Sequence, residues 1–203
     1  MRIGILVFDD VEVLDACGPF EVFSVANRLA GKAGRPAPFE VLLIADGPPG
    51  LVRARGGLPL QVGLGIAEAP ALDLLLVPGG VTDAVEADPE VVGWVTERAR
   101  DTPYVASVCT GAFVLARAGV ITDQRVTSHW DDLAALRSRW PSLEVVEDVR
   151  WVHASSAVRS GGQVYTSAGI SAGIDLALHL VEVLVDRDTA LGTARVMDYA
   201  WAE

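Results

Sequence analysis

Four short apolar runs, at residues 2–8, 39–45, 73–77 and 104–108, carry almost no polar alternation, which is the pattern of strands covered on both faces. Helical periodicity fills the intervals. Leu14, Phe20, Val22, Phe23 and residues 25–29 recur at helical spacing between Asp15 and Gly31, placing Pro19 in the first turn of that helix. Further helices are expected at 89–100, 110–118, 130–140 and 171–185, the last with Ile174, Leu178, Val181 and Val185 along one face. Gly56-Gly57 between short mixed runs predicts a small β-hairpin excursion over 51–62, and short strands are expected around Gly161-Gly162. Buried strands alternating with helices build βαβ units, and these give a mainly parallel, doubly wound α/β sheet with helices on both faces. No repeat or linker interrupts the 203 residues, so a single domain is expected over 1–203.

Charge and composition narrow the partners. Sixteen Lys and Arg stand against 27 Asp and Glu, a net charge of −11 without any basic stretch, so no nucleic-acid partner is expected. Although 51% of the residues are hydrophobic, no apolar run approaches the roughly 18 residues of a membrane span. The acidic pair Asp9-Asp10 follows the first run with no small-residue cleavage site, so a cytoplasmic protein off the membrane is expected. Cys17 and Cys109 are too few for a disulfide framework. Neither a zinc spacing, a phosphate loop nor a dinucleotide fingerprint occurs, so no metal and no cofactor are expected.

In an open α/β sheet, ligands gather at the carboxyl ends of the strands, which directs attention to strand-to-helix turns. In Ala106-Ser107-Val108-Cys109-Thr110-Gly111-Ala112 an apolar strand runs straight into a helix with Cys109 at the junction. Ser107 and Gly111 at −2 and +2 give the small-x-nucleophile-x-Gly spacing of a nucleophile elbow. A helix N-terminus there is expected to lower the thiol pKa, and the Thr110 N–H to serve as an oxyanion donor. A lone cysteine elsewhere reads as a small core residue; the elbow context favours the nucleophile. Gly169-Ile170-Ser171-Ala172-Gly173 also matches G-x-S-x-G, but the one downstream histidine, His179, lies eight residues along the same helix. That is roughly 12 Å of rise, too far to arch back, so this turn reads as packing beside the elbow and lining its pocket.

Other residues read two ways. Pro78-Gly79-Gly80 ends the third apolar run and is either a plain turn or a close backbone approach to a ligand. Asp15 is either a helix N-cap or a carboxylate reaching the sheet end. His129, between Thr127-Ser128 and Trp130, is either a base or charge partner for a thiolate or a capping and packing residue. Cys17 reads as a packed thiol, Asp131-Asp132 as helix N-terminal charge, and Trp130, Trp151 and Ile170 as pocket-wall candidates for which core packing is the rival role.

Taken together, Leu14-Asp15-Ala16-Cys17-Gly18-Pro19, Val77-Pro78-Gly79-Gly80, Ser107-Val108-Cys109-Thr110-Gly111, Thr127-Ser128-His129-Trp130 and residues 167–175 resemble the ThiJ/PfpI superfamily in order and spacing. The superfamily has the class I glutamine amidotransferase-like, flavodoxin-like fold. Asp in the first motif and Cys-Thr-Gly at the elbow are similar to its isonitrile hydratase branch. The resemblance implies Cys109 as nucleophile, Asp15 as its carboxyl partner, His129 as a third participant, and backbone N–H groups of Gly79 or Gly80 and Thr110 in the site. It implies a small-molecule substrate and a homodimer. Three readings remain open: isonitrile hydration to an N-substituted formamide, attack on another small electrophile such as a reactive aldehyde, and a non-catalytic redox- or ligand-sensing domain. The superfamily also contains sensors fused to DNA-binding helix-turn-helix pairs. Because residues 201–203 follow the last core helix directly, a stand-alone protein is expected.

Overall fold

Apolar side chains on both faces make the first strand, β1 (Arg2–Val7), a central one: Ile3, Ile5, Leu6 and Val7 are fully buried. The computed structural model describes residues 1–154 and 162–201, so of the Gly161-Gly162 pair around which short strands are expected, Gly161 lies outside the described residues. In chain order α1 (Val13–Lys32), β2 (Glu40–Ala45), β3 (Gly50–Arg53), β4 (Pro59–Val62), β5 (Leu64–Gly65), β6 (Leu74–Val77), α2 (Asp83–Ala87), α3 (Pro89–Asp101), β7 (Tyr104–Val108) and α4 (Gly111–Arg117) follow. Then come β8 (Arg125–Val126), α5 (Leu133–Arg139), β9 (Glu144–Val145), β10 (Trp151–His153), β11 (Gln163–Ser167), α6 (Ala172–Leu184) and α7 (Arg187–Val196).

The main sheet runs β10-β11-β7-β6-β1-β2-β5, parallel throughout except for the antiparallel β10–β11 pair. The chain first moves outward from β1 to β2 and β5, then returns to place β6 on the other side of β1. That reversal is a topological switch point, and it opens a crevice at the carboxyl ends of β1 and β6. Register brings β7 and β11 into the same crevice, since Val77 pairs Ser107 and Val108 pairs Ser167. Helices α1, α6 and α7 pack on one another, while α2, α3 and α4 form a second group, so the doubly wound sheet is covered on both faces as the sequence implies. The hairpin excursion is the antiparallel pair β3–β4. No helix among the described residues is long and apolar enough to cross a membrane.

Three local expectations need correction. Helix α1 begins at Val13, so Pro19 falls within the helix rather than in its first turn. Its start is set by tertiary bonds, with Glu12 N–H donating to Gly79 O at 2.9 Å and Val11 bridging to Gly80. The helix expected at 130–140 is a tight 3₁₀ turn, Trp130–Asp132, followed by α5, and Trp130 is 75% exposed instead of packed. Finally, α7 was not anticipated, although Asp186 caps it by accepting the Thr189 N–H at 2.6 Å.

Candidate active site

Cys109 leaves β7 with φ of 57°, the left-handed region that costs a non-glycine residue about 1–2 kcal/mol. Hydrogen bonds hold it there. Its N–H donates to the carbonyls of Ser167 and Ala168 at 3.2 and 3.3 Å, and the Ser128 hydroxyl donates to the Cys109 carbonyl at 2.7 Å. The sharp reversal turns the side chain out of the sheet, which is the elbow inferred from the sequence. Gly79 completes the fit: a Cβ there would lie 2.5 Å from both the N and Oγ1 of Thr110 and 2.9 Å from the Cys109 Cβ. Only a glycine lets the β6 turn approach the thiol this closely.

Asp15 sits in the first turn of α1, fully buried, and does not cap the helix. The Gly79 N–H donates to its Oδ2 at 3.0 Å, while Oδ1 makes no hydrogen bond of regular geometry among the described residues. Burial pushes the carboxyl up to about 7; the Gly79 bond opposes this, the nearby Glu12 charge adds to it, and the Cys109 thiol and Ile170 N–H pull weakly downward. The thiol behaves contrary to the helix-dipole expectation. Burial, joined by the Asp15 charge, pushes Cys109 up to about 12, and the Thr110 N–H and hydroxyl offset only part of the rise. The desolvation penalty on a thiolate that is 6% exposed therefore outweighs the pull of a two-turn helix. The expected backbone donors also need revision. The Gly79 N–H is engaged by Asp15 and the Gly80 N–H by the Thr110 hydroxyl at 2.9 Å, which leaves the Thr110 N–H as the backbone donor facing the sulfur.

A cavity of about 450 Å³ opens over the thiol. Val81, Phe113, Ala135 and Ile170 give it an apolar wall, and Gly80, Thr110 and His129 also line it. The Ile170 candidate is therefore at the cavity, whereas Trp130 and Trp151 do not line it; Trp151 stacks on His179 with ring centroids 4.0 Å apart. Ile170 has φ of 56°, an outlier for a β-branched residue. His129 packs edge-on to the next turn, where a Cβ on Gly169 would meet its Cδ2 at 2.1 Å. Its Nδ1 lies 3.2 Å from Asp132 Oδ2 and 3.4 Å from the Asp131 N–H. The first contact needs a proton on Nδ1 and the second a lone pair, so Nδ1 serves one at a time. Ser171 opens α6, and its Oγ accepts from Arg150 at 3.1 Å; Arg150 in turn pairs with the buried Asp175. That serine thus belongs to a structural network behind Ile170. Cys17 is half-buried, and burial pushes its thiol up.

An open parallel sheet with a strained cysteine at the end of a central strand, facing a buried carboxyl group across its switch point, defines a class of elbow-cysteine α/β proteins. Within that class the chain belongs to the DJ-1/PfpI family, whose description matches residues 1–183. It is 32% identical over 201 residues to an isonitrile hydratase of Pseudomonas putida, covering 98% of this chain and 79% of that one. It is 30% identical to the HTH-type transcriptional regulator GbdR of Pseudomonas aeruginosa, over 88% of this chain and 45% of the regulator. Deglycases are also among its relatives. A ThiJ/PfpI family protein from Pseudomonas syringae superposes with a TM-score of 0.81 at 25% identity, covering 100% of this chain and 76% of that one. Enzymes and regulators therefore share this fold, and the distinction between them must come from the site.

Proposed function

We propose that the protein is a cysteine-dependent hydro-lyase that adds water to a small electrophile, with an isonitrile as substrate and an N-substituted formamide as product. The observation that carries this reading is the buried Asp15 carboxyl, pushed up to about 7 and in hydrogen-bond contact with the Cys109 thiol. The two groups form a coupled pair, with burial pushing both the carboxyl and the thiol up. A carboxylate beside a thiol of high pKa is a base that acts only as the sulfur attacks.

The steps then balance. As Sγ bonds to the terminal carbon of R–N≡C, the thiol proton passes to Asp15, which returns it to that carbon and leaves the thioimidate Cys109–S–CH=N–R. Water adds to the C=N carbon; Asp15 takes one water proton and delivers it to nitrogen, giving R–NH–CH(OH)–S–Cys109. The C–S bond breaks, the hydroxyl proton returns by way of Asp15 to sulfur, and R–NH–CHO leaves. The Thr110 N–H steadies negative charge on sulfur during attack and departure. His129 stays at the cavity wall as a third participant that orients the substrate.

The relative named for isonitrile hydration supports the choice of substrate. The test is turnover of an alkyl isonitrile, followed by proton resonance of the formamide, next to methylglyoxal. Formamide from the native chain, and none from Cys109→Ala or Asp15→Asn, is the expected result. Activity on the aldehyde alone, or full isonitrile turnover by either variant, overturns the assignment.

A further inference from the structure

The turn between β11 and α6 supplies several parts of the Cys109 site. The Ser167 and Ala168 carbonyls accept the Cys109 N–H, and Gly169 lies against the His129 ring. The Ile170 N–H bears on the Asp15 carboxyl, while the Ile170 side chain lines the cavity. This turn is not a conformation its own residues favour. Ile170 has φ of 56°, and left-handed backbone is strongly disfavoured for a β-branched side chain, so the surroundings must hold it there.

Arg150 grips the turn from both sides of Ile170. Its carbonyl accepts the Ala168 N–H at 2.9 Å, and its guanidinium donates to Ser171 Oγ at 3.1 Å. The guanidinium is fixed in turn by Asp175, fully buried in the first turn of α6, whose Oδ2 accepts from Arg150 Nε at 2.6 Å. The segment after α7 closes over the same cluster, with the Tyr199 hydroxyl donating to Ser171 O at 3.4 Å and Trp201 Nε1 to Asp175 O at 3.2 Å. Arg150 and Asp175 do not line the cavity, so they act on the site only through the turn.

We propose that Arg150 is a positioning residue for the Cys109–Asp15 pair, holding the strained Ile170 turn in the arrangement that seats the cysteine backbone and forms the cavity wall. This rests on the reading that Cys109 and Asp15 perform the chemistry, and it names what keeps them in register. Desolvation offsets most of the attraction in a buried ion pair, so the value of Arg150–Asp175 lies in what it orients.

Arg150→Lys keeps a positive charge beside Asp175 but loses the planar fork that serves Asp175 and Ser171 together. With an alkyl isonitrile, kcat should fall about 10- to 100-fold, as for a displacement of the reacting groups of about 1 Å, while KM stays within about threefold. The Ile170→Gly background shows whether the effect runs through the turn. Glycine takes the left-handed conformation without strain and needs no clamp, so Arg150→Lys added there should lower kcat by no more than about threefold. Asp88→Ala strips the cap of α3, in the other group of helices, and should leave kcat in place. Equal falls in the two Ile170 backgrounds, or an equal fall in Asp88→Ala, overturn the inference.

Thiol alkylation gives a second reading that assumes nothing about turnover. In a Cys17→Ser background, loosening the turn uncovers a cysteine that is 6% exposed, so iodoacetamide should modify Cys109 several-fold faster in Arg150→Lys. With Ile170→Gly also present, Arg150→Lys should add little. If Arg150→Lys does not fold, Ser171→Ala, which leaves the Arg150–Asp175 pair in place, is expected to lower kcat and speed alkylation; neither moving overturns the inference. Coupling of Arg150 with Ile170 in alkylation, without isonitrile turnover by the native chain, refutes hydration and leaves the positioning role standing. Isonitrile turnover that Arg150→Lys leaves unchanged, together with unchanged alkylation, refutes the positioning role and leaves hydration standing.

Discussion

Replacing Asp15 by Asn should make the protein more stable at alkaline pH while removing its proposed activity. The carboxyl is fully buried and pushed up to about 7 from an ordinary 3.8, so between those values the native state holds a proton that the unfolded chain has lost. Stability therefore carries no cost from this group below pH 3.8, falls as pH rises, and carries the whole cost above pH 7. With each unit of pKa worth about 1.4 kcal/mol, the cost above pH 7 is about 4 kcal/mol, and the part incurred between pH 5 and pH 8 is roughly 3 kcal/mol. Asn keeps an oxygen for the Gly79 N–H and has no proton to titrate. Urea unfolding of both proteins at half-unit steps from pH 5 to 8 should give curves that diverge steadily, the native chain losing roughly 3 kcal/mol more than the variant. Other raised carboxyls, Asp46 among them, cancel in that difference because both proteins carry them. Parallel curves would show that Asp15 is not held protonated by burial, and the acid–base role proposed for it would go with them.

Three more outcomes follow from contacts at the site. Asp15→Asn removes the charge that raises Cys109, so in a Cys17→Ser background alkylation of Cys109 by iodoacetamide at pH 8 should speed up even as isonitrile turnover is lost; slower alkylation would place the carboxylate as an activator of the resting thiol. Gly169→Ala puts a Cβ 2.1 Å from the His129 ring and should cost about 1–3 kcal/mol in urea unfolding. Gly93→Ala, in α3 with open space around it, should instead stabilise by about 0.5–1 kcal/mol, and equal effects at the two positions would contradict the packing described. Arg139→Ala strips the ion-pair partner from buried Glu86 and should cost about 2 kcal/mol, below the full buried-pair range because the Arg139 side chain is 44% exposed; a loss under about 0.5 kcal/mol would mean that water replaces it freely.

Strands β1, β2, β6 and β7 were legible to within a residue or so because each is a pure apolar run bounded by a charged or breaking residue. The elbow was legible for a related reason: Cys109 falls where an apolar strand meets a helix, with small residues on either side. What could not be read depends on partners distant in sequence. The start of α1 follows from bonds between residues 11–12 and 79–80, and no capping side chain announces it. The Gly79 and Gly80 N–H groups looked available for a ligand until Asp15, 64 positions away, and Thr110, 30 away, were found to accept them. Helix α7 had a readable signal, Asp186 three residues before Thr189, which its weak apolar stripe obscured. The sign of the thiol shift is not legible in the sequence, because the dipole of α4 is visible there whereas the burial that outweighs it is a property of the assembled crevice.

The same switch point explains how one family can hold hydratases, deglycases and regulators. The elbow is fixed by the backbone: the positive φ of Cys109, its N–H on two carbonyls of the segment after β11, and the Gly79 turn pressed against it are set by strand register and would persist whatever faced the sulfur. The chemistry is set by side chains from elements that can vary without disturbing that register. Asp15 arrives on α1, cavity-lining carboxylates on α2 and the 129–132 turn, and Ile170 on the turn before α6. Burial alone pushes the thiol in this crevice above its ordinary range; a carboxyl held near 7 beside it supplies an exchangeable proton at neutral pH. The step from binding module to enzyme on this fold is thus small in structural terms. On the reading proposed for this chain it requires one acid buried deeply enough to keep its proton beside the sulfur, and Asp15 is fully buried with its carboxyl pushed up to about 7.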